Sequence, residues 1–486
     1  QLIFIVNHGL DILFARIATR IESPDSADSA FANLDHLIVQ NALAAHIDQV
    51  SNMHPLRFVC PSGCPCAACH DQARDSALHC VTSHTRPLCM LDTPRRHDAA
   101  SVNPMRYVFV PILLSLSLCA HAADAPRARD LGIPFDGEPG ALNAITDVAG
   151  VQVGHETLIQ NLDDGRKVRT GVTAILPRGA ASAQLPVFAG WFSLNGNGEM
   201  TGTEWLAESG QLEGPVLLTN THSVGVVRDA AIAWRVQQGG ADASGYWWSL
   251  PVVAETWDGH LNDINGFHVR AEHVFAALAN ARDGAVAEGN VGGGTGMICH
   301  EFKCGIGTAS RRVNVAAQMQ TVGVLVQANY GLRDSLRIAG VPVGQHLRND
   351  RVYREDTPQA SDTGSIIIVV ATDAALLPHQ LNRIAKRAGM GLARMGSYAG
   401  NGSGDIFVAF STANGSALSG VARGNAQVIG NDQLDPLFEA TVQATEEAIV
   451  NAMIAARDMR GQDGRYAKAI DHAALQKLLR RYRRSP

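Results

Sequence analysis

Long apolar runs are missing from this chain of 486 residues. None reaches the roughly 20 consecutive apolar residues that a bilayer-spanning helix needs, which argues against an integral membrane protein. An excess of basic charge is missing too: 40 Lys+Arg stand against 46 Asp+Glu, for a formal net charge of -6. A dedicated nucleic-acid binder needs cationic surface to neutralise phosphates, so that class is excluded as well. Charged residues of either sign make up only 18%, yet hydrophobic residues reach 46%, too many for a disordered chain.

Glycine and cysteine are scarce in opposite parts of the chain. Residues 1–104 hold two of the 47 glycines, Gly9 and Gly63, where even usage would place about ten. The same stretch holds six of the nine cysteines (Cys60, Cys64, Cys66, Cys69, Cys80, Cys89) and eight of the 18 histidines. At Met105 the text changes. Met105-Arg106 forms a short basic n-region, Tyr107 to Leu118 an apolar h-region, and Ala120-His121-Ala122 an A-x-A cleavage site. Residues 105–122 are therefore expected to be a signal peptide and residues 1–104 upstream translation without a domain. The mature protein, residues 123–486, is expected in the periplasm or secreted. Leu118 precedes Cys119 where a lipoprotein signal would have a small residue. Cys66-Ala67-Ala68-Cys69-His70 matches a c-type haem attachment pattern. It lies ahead of the signal that would carry it to the compartment of haem attachment, and is read as fortuitous. After the signal only Cys299 and Cys304 remain, and their spacing leaves open a tight disulfide or two incidental thiols.

From Ile145 onward short β-branched runs alternate with helical stretches rich in small residues. Pro215 to Thr219, Val322 to Gln327, Ile366 to Ala371 and Ile406 to Phe410 are nearly continuous apolar runs, the pattern of strands covered on both faces. Val224 to Val236, Ala271 to Ala281, Pro378 to Ala388 and Asp435 to Met453 carry apolar residues at helical spacing. The class is α/β or α+β with helices covering sheets, and without a repeat or low-complexity linker one large domain is expected.

Gln345 to Gly364 is polar and charged, the text of an exposed loop, and it ends at Gly364-Ser365 directly before an apolar strand. That is the wrong order for a nucleophile elbow, in which a serine follows a strand and opens a helix. It suits a self-made nucleophile. Attack of the Ser365 hydroxyl on the Gly364 carbonyl would free a chain whose first residue carries both a hydroxyl and an α-amine. The reference pKa of that amine, about 7.7–8.0, suits general-base work. Glycine at 364 allows close approach and strain before the bond to be broken. The alternative is a plain loop-to-strand junction.

Five segments together carry a more specific signal: Ser365 to Asp373 (SIIIVVATD), Asn401 to Phe407 (NGSGDIF), Val324 to Gly331 (VLVQANYG), Ala254 to Gly259 (AETWDG) and Gly289 to Gly296 (GNVGGGTG). Together they resemble the DmpA-type L-aminopeptidase/D-esterase family of self-processing serine aminopeptidases, which includes the β-peptidyl aminopeptidases. The likeness runs from about Arg129 to the C-terminus. It implies a four-layer α/β/β/α sandwich of the self-cleaving N-terminal-nucleophile type, cut after Gly364 into an α chain (123–364) and a β chain (365–486). It also implies Ser365 as nucleophile, Ser403 and Asp405 to relay and orient protons, Asn329 as oxyanion donor and Glu255 near the substrate's free amine. Trp257 departs from the Tyr expected at its position; an indole N–H donates but cannot accept. The substrate would be a small peptide, amide or ester. No cofactor or metal is implied, and the assembly would be a homotetramer of cleaved pairs.

Other motifs carry less. Gly292 to Gly296 lacks both the P-loop lysine and the dinucleotide spacing, and is read as close backbone approach. Thr221-His222-Ser223-Val224-Gly225 imitates a hydrolase elbow, with Ser223 as a rival nucleophile, but Thr221 stands where glycine is needed. His379, at a helix start, is read as a surface or packing residue. Two rival functions remain: a self-cleaving acyltransferase of the ornithine acetyltransferase type, against which Ser365 in place of threonine weighs, and an uncleaved periplasmic ligand-binding protein.

Overall fold

Two β-sheets stacked face to face, each covered outside by helices, make up the computed structural model. It describes residues 126–239, 248–352, 364–415 and 423–484, all within the unit Leu113–Pro486. The upstream segment 1–104 with its Cys66–His70 motif, the signal segment 105–122 with Cys119, and positions 353–363 of the polar loop lie outside the described residues.

The first sheet contains β1 (Gln152–Asn161), β2 (Lys167–Ala180), β5 (Val216–Asn220) and β6 (Val252–Thr256), side by side in that order. The second contains β3 (Val187–Ser193), β4 (Gln211–Leu212), β9 (Ile306–Val315), β10 (Gln318–Asn329), β11 (Ser365–Thr372) and β12 (Gly404–Ser411), in the spatial order β4-β3-β12-β11-β10-β9. Within these sheets β5–β6 and β11–β12 pair parallel and the other pairs are antiparallel. Each parallel pair needs a crossover. Helix α2 (Val224–Gln237) serves β5–β6 and helix α5 (Pro378–Arg394) serves β11–β12. Smaller elements complete the framework: α1 (Thr203–Ser209), α3 (Ala271–Ala279), α4 (Val343–His346), the hairpin β7 (Ile298–Cys299)/β8 (Phe302–Lys303), and the pair β13 (Met459–Arg460)/β14 (Tyr466–Ala467). Helices α6 (Asp435–Ile454) and α7 (His472–Arg481) close the chain.

The alternation of side chains across each strand divides the core into three layers. On β11, Ile367, Val369 and Ala371 point between the sheets, where they meet Ile175, Leu218 and Ala254 of the first sheet. Ile366, Ile368 and Val370 point the other way, onto Leu381, Ile384 and Ala388 of α5 and Ala444 and Ala448 of α6. On the outer face of the first sheet, Val172, Ala174 and Leu217 meet Val227 and Ala231 of α2 and Val274 and Leu278 of α3. Both faces of each central strand are therefore dry, which is why the strands are written as continuous apolar runs. Each fully buried Ile, Leu or Val contributes about 1.5–3 kcal/mol. The four-layer α/β/β/α sandwich is thus observed.

Helix α5 runs to Arg394, six residues past the expected end at Ala388. Gly391 serves packing: a Cβ there would stand 2.6 Å from Thr445 Cβ and 2.7 Å from the Val442 carbonyl of α6. The crossover helix continues through this residue because its neighbour needs the space. Cys299 and Cys304, left open between two states, form a disulfide across the β7–β8 hairpin, with their Cα atoms 5.4 Å apart. At Gly293 a Cβ would lie 2.1 Å from Gln327 Oε1 and at Gly294 2.4 Å from the Ile306 nitrogen, so the glycine run does mediate close approach. No helix among the described residues is long and apolar enough to cross a membrane.

Candidate active site

Ser365 is the first residue of the central strand β11, and the register brings two further strand ends to it. Asn329, the last residue of β10, lies opposite Ser365, and Gly404, the first of β12, lies beside it. The Gly404 N–H donates to Ser365 Oγ at 3.2 Å, which orients the hydroxyl. Before it, Gly364 is pressed against β10: a Cβ there would stand 2.2 Å from the Asn329 carbonyl oxygen and 2.4 Å from Tyr330 Cα. Only glycine fits at that point.

Because β12 runs parallel to β11, Ser403 and Asp405 flank the residue paired with Ser365. Ser403 Oγ donates to Asp405 Oδ1 at 2.7 Å, and the Ile366 N–H donates to the same oxygen at 3.2 Å. Asn195, two residues beyond the end of β3, grips the other side. Its Nδ2 donates to Asp405 Oδ2 at 3.2 Å and its Oδ1 accepts the Asp405 N–H at 2.6 Å. Asp405 is completely buried and, held by these donors, can keep the Ser403 hydroxyl in one orientation.

Asn329 is fixed at both ends of its amide. Oδ1 accepts the Ile298 N–H at 2.9 Å, and Nδ2 donates to the Trp257 carbonyl at 2.8 Å. An amide nitrogen carries two hydrogens, and the Trp257 carbonyl takes one of them. Glu255, near the end of β6, is buried at 3% exposure. It accepts the Glu199 N–H on Oε1 at 3.0 Å and the Thr221 hydroxyl on Oε2 at 2.5 Å. Burial pushes its carboxyl above the usual glutamate range, and these two donors pull it back only in part. The next residue but one, Trp257, is 42% exposed. Asn197, Thr221, Glu255, Trp257 and Ser365 together line a cavity of about 340 Å³. A nucleophilic hydroxyl and a buried carboxylate thus face one small space, suited to a substrate with a carbonyl at one point and a cation at another.

All six residues expected from the sequence come together here, with Gly364 just ahead of the strand. Three more were missed. Asn195 and Asn197 stand in the Asn-Gly-Asn-Gly run after β3, a segment whose alternating glycines were its only signal. Thr221 was noted only as a misfit in an elbow; its hydroxyl in fact seats Glu255. The rival Ser223 is buried at the start of α2 and does not line the cavity. Beneath Trp257, Asp258 is fully buried and accepts Asn262 Nδ2 at 3.1 Å. Burial pushes its carboxyl up to about 7, against the opposing pull of Thr170, Asn262 and Asn220. No group of three or more His, Cys, Asp or Glu among the described residues is arranged to hold a metal ion.

A serine at the head of an inner strand of an α/β/β/α sandwich defines a hydrolase of the N-terminal-nucleophile type. The chain belongs to peptidase family S58, whose model matches residues 143–467. It is 52% identical over 398 residues to the beta-peptidyl aminopeptidase BapA of Sphingosinicella microcystinivorans, which covers 78% of this chain and 99% of that one. The BapA of Sphingosinicella xenopeptidilytica is 47% identical over 389 residues, covering 76% and 96%. Among solved structures, the L-aminopeptidase D-Ala-esterase/amidase of Ochrobactrum anthropi, described as a prototype for the serine aminopeptidases and a variant of the Ntn hydrolase fold, matches with a TM-score of 0.69 at 49% identity, covering 74% of this chain and 100% of that one. A Burkholderia sp. beta-aminopeptidase matches at 0.66 and 50% identity, covering 73% and 99%. The chain is a hydrolase, a serine aminopeptidase.

Proposed function

We propose that the chain cuts itself between Gly364 and Ser365 and then removes N-terminal residues from short peptides, amides or esters, β-amino residues among them. The observation that carries this reading is the position of Ser365: its hydroxyl sits at the head of β11, on the Gly404 N–H, in the cavity that buried Glu255 lines. In the first step Ser365 Oγ adds to the Gly364 carbonyl carbon and the C–N bond gives way to an ester, which water hydrolyses. Gly364 is left with a carboxylate and Ser365 with an α-amine. In turnover, Ser365 Oγ attacks the substrate carbonyl and the α-amine takes its proton, with Ser403 and Asp405 holding the relay. The leaving group departs with a proton, and water then cleaves the acyl-enzyme.

The remaining residues divide the work by chemistry. The Gly404 N–H holds the attacking Ser365 hydroxyl, and Asn329, paired with Ser365 across β10 and β11, has a second Nδ2 hydrogen to offer the substrate's carbonyl oxygen, where developing charge is best stabilised. Glu255 pairs with the substrate's ammonium; an internal peptide bond offers no cation and would leave a buried charge unmatched. Support for β-amino residues among the substrates is the relatedness to beta-peptidyl aminopeptidases. Export by residues 105–122 is supported by the n-, h- and cleavage regions there, and a homotetramer of cleaved pairs by the family resemblance.

The decisive experiment is a denaturing gel with intact mass and N-terminal sequencing of the full chain and of Ser365→Ala. A fragment beginning at Ser365 in the wild type alone, with release of p-nitroaniline from aminoacyl anilides, supports the reading. Processing that survives Ser365→Ala refutes it. Size-exclusion chromatography with light scattering tests the tetramer, and fractionation of the native host tests the export.

A further inference from the structure

The hairpin that closes over Asn329 is cross-linked, and the cross-link has no part in the chemistry described so far. We propose that the Cys299–Cys304 disulfide is an activating bond: by holding this hairpin it orients the Asn329 amide, so that the full rate of catalysis depends on its formation. The inference rests on the reading of Asn329 as oxyanion donor.

An asparagine amide can sit either way round, and its neighbours decide. The Ile298 N–H faces Oδ1 at 2.9 Å and the Trp257 carbonyl faces Nδ2 at 2.8 Å. Reversal would set donor against donor and acceptor against acceptor. The orientation of Asn329 therefore depends on the position of Ile298, the residue before Cys299. A second bond ties the same hairpin to the same strand end, from the His300 N–H to the Tyr330 carbonyl at 2.7 Å.

The hairpin's own ladder is short. β7 and β8 are two residues each, joined through His300 and Glu301, which both adopt positive φ (47° and 63°). A two-residue connection of that kind favours Asn or Gly, and so short a ladder is marginal alone. Two devices compensate. Lys303, fully buried, donates Nζ to the carbonyls of Met297 at 2.8 Å and Cys304 at 2.5 Å, bridging the two arms. The disulfide joins the arms covalently. Arg333 braces the turn from outside, donating to the carbonyls of His300 at 2.9 Å and Glu301 at 2.7 Å.

Both cysteines are at 0% exposure, so the bond must form before the hairpin is buried, during folding in an oxidising compartment. Two thiols are oxidised and the S–S bond forms. Two electrons and two protons pass to a disulfide oxidant, which is reduced to two thiols.

The test is a double-mutant cycle on the full chain, joining Cys299→Ala/Cys304→Ala with Asn329→Ala, read as kcat and KM on an aminoacyl p-nitroanilide. The cysteine variant should lower kcat about tenfold or more with KM little changed, and should add nothing in the Asn329→Ala background. Equal losses in both backgrounds would overturn the proposal, since a general loss of structure acts whether or not Asn329 is present. An Asn329→Ala enzyme of undiminished kcat would sink the oxyanion reading itself, a separate outcome. If the cysteine variant does not fold, wild-type protein refolded with and without a disulfide oxidant takes its place. Alkylation and peptide mapping then follow Cys299 and Cys304. Activity that rises as these thiols disappear supports the proposal, and a folded, reduced enzyme of full rate refutes it.

Discussion

Ser403 donates its hydroxyl to Asp405 Oδ1 across 2.7 Å, and the two residues bracket Gly404, whose N–H rests on the Ser365 hydroxyl at 3.2 Å. Three consecutive residues at the start of one parallel strand thus hold the Ser365 hydroxyl, the proposed relay and the carboxylate that orients it.

This arrangement separates the effects of the two side chains. Ser403→Ala leaves Asp405 bound to Ile366 and Asn195, so the protein should fold and kcat should fall about 10²-fold. Asp405→Asn places an amide against the Asn195 amide and should cost about 10²–10⁴-fold in kcat together with lower thermal stability. Steady-state kinetics with thermal denaturation of both variants check this; full activity of Ser403→Ala would remove it from the relay.

Gly364→Ala should block self-processing. The added methyl would lie 2.2 Å from the Asn329 carbonyl oxygen and 2.4 Å from Tyr330 Cα, both backbone atoms that cannot yield without moving β10. At Gly430 a Cβ meets nothing within 4 Å, so Gly430→Ala should process normally. Intact mass after expression reads both, and a cleaved Gly364→Ala chain would show that close approach at 364 is not required.

Glu255→Gln keeps the size of the side chain and removes its charge; its one amide oxygen can still accept the Glu199 N–H, and the Thr221 hydroxyl can turn to accept from the new NH2. With an ammonium substrate, kcat/KM should fall about 10–100-fold, the worth of a charge-assisted hydrogen bond. With an uncharged ester it should hardly change. Because burial raises the Glu255 pKa above 4.5, wild-type activity, already falling as the Ser365 α-amine gains its proton, should fall more steeply as pH drops through a midpoint above that value, when the carboxylate is protonated too. A pH profile of Glu255→Gln should lack this limb. Equal losses on charged and uncharged substrates would remove Glu255 from amine recognition.

Asp258 should make stability depend on pH in the direction opposite to most carboxylates. Its folded pKa is raised from 3.8 to about 7, so between those values the folded state binds the extra proton and unfolding free energy falls as pH rises. Over about 3 pH units at about 1.4 kcal/mol each, the loss approaches 4 kcal/mol and is complete above pH 7. Asp258→Asn should flatten this slope and overtake the wild type at pH 8. Urea denaturation at pH 5 and pH 8 decides, and parallel slopes would show that Asp258 ionises normally.

Much of this was legible because local pattern and burial coincide. The apolar runs at 215–219, 322–327, 366–371 and 406–410 are strands β5, β10, β11 and β12, and their continuity follows from lying between two dry layers. The same text placed Ser365 after a glycine at a strand head. It did not show where helix α5 ends, since a glycine at 391 looks like a stop until Val442 and Thr445 of α6 are packed against it. It left Cys299 and Cys304 undecided because two incidental thiols fit the same spacing.

By itself, then, the sequence determined which runs would be strands covered on both faces, the position of Gly364-Ser365 ahead of one of them, and the candidate residues for the family's chemistry. Those depend on residue type and on spacing along the chain. Tertiary structure alone decided that Asn195 would grip Asp405 from 210 positions away, that Thr221 would seat Glu255, and that a disulfide hairpin would orient Asn329. Each of these is a matter of register between strands and of which backbone N–H or C=O a side chain meets, and neither is written in any one segment of the chain.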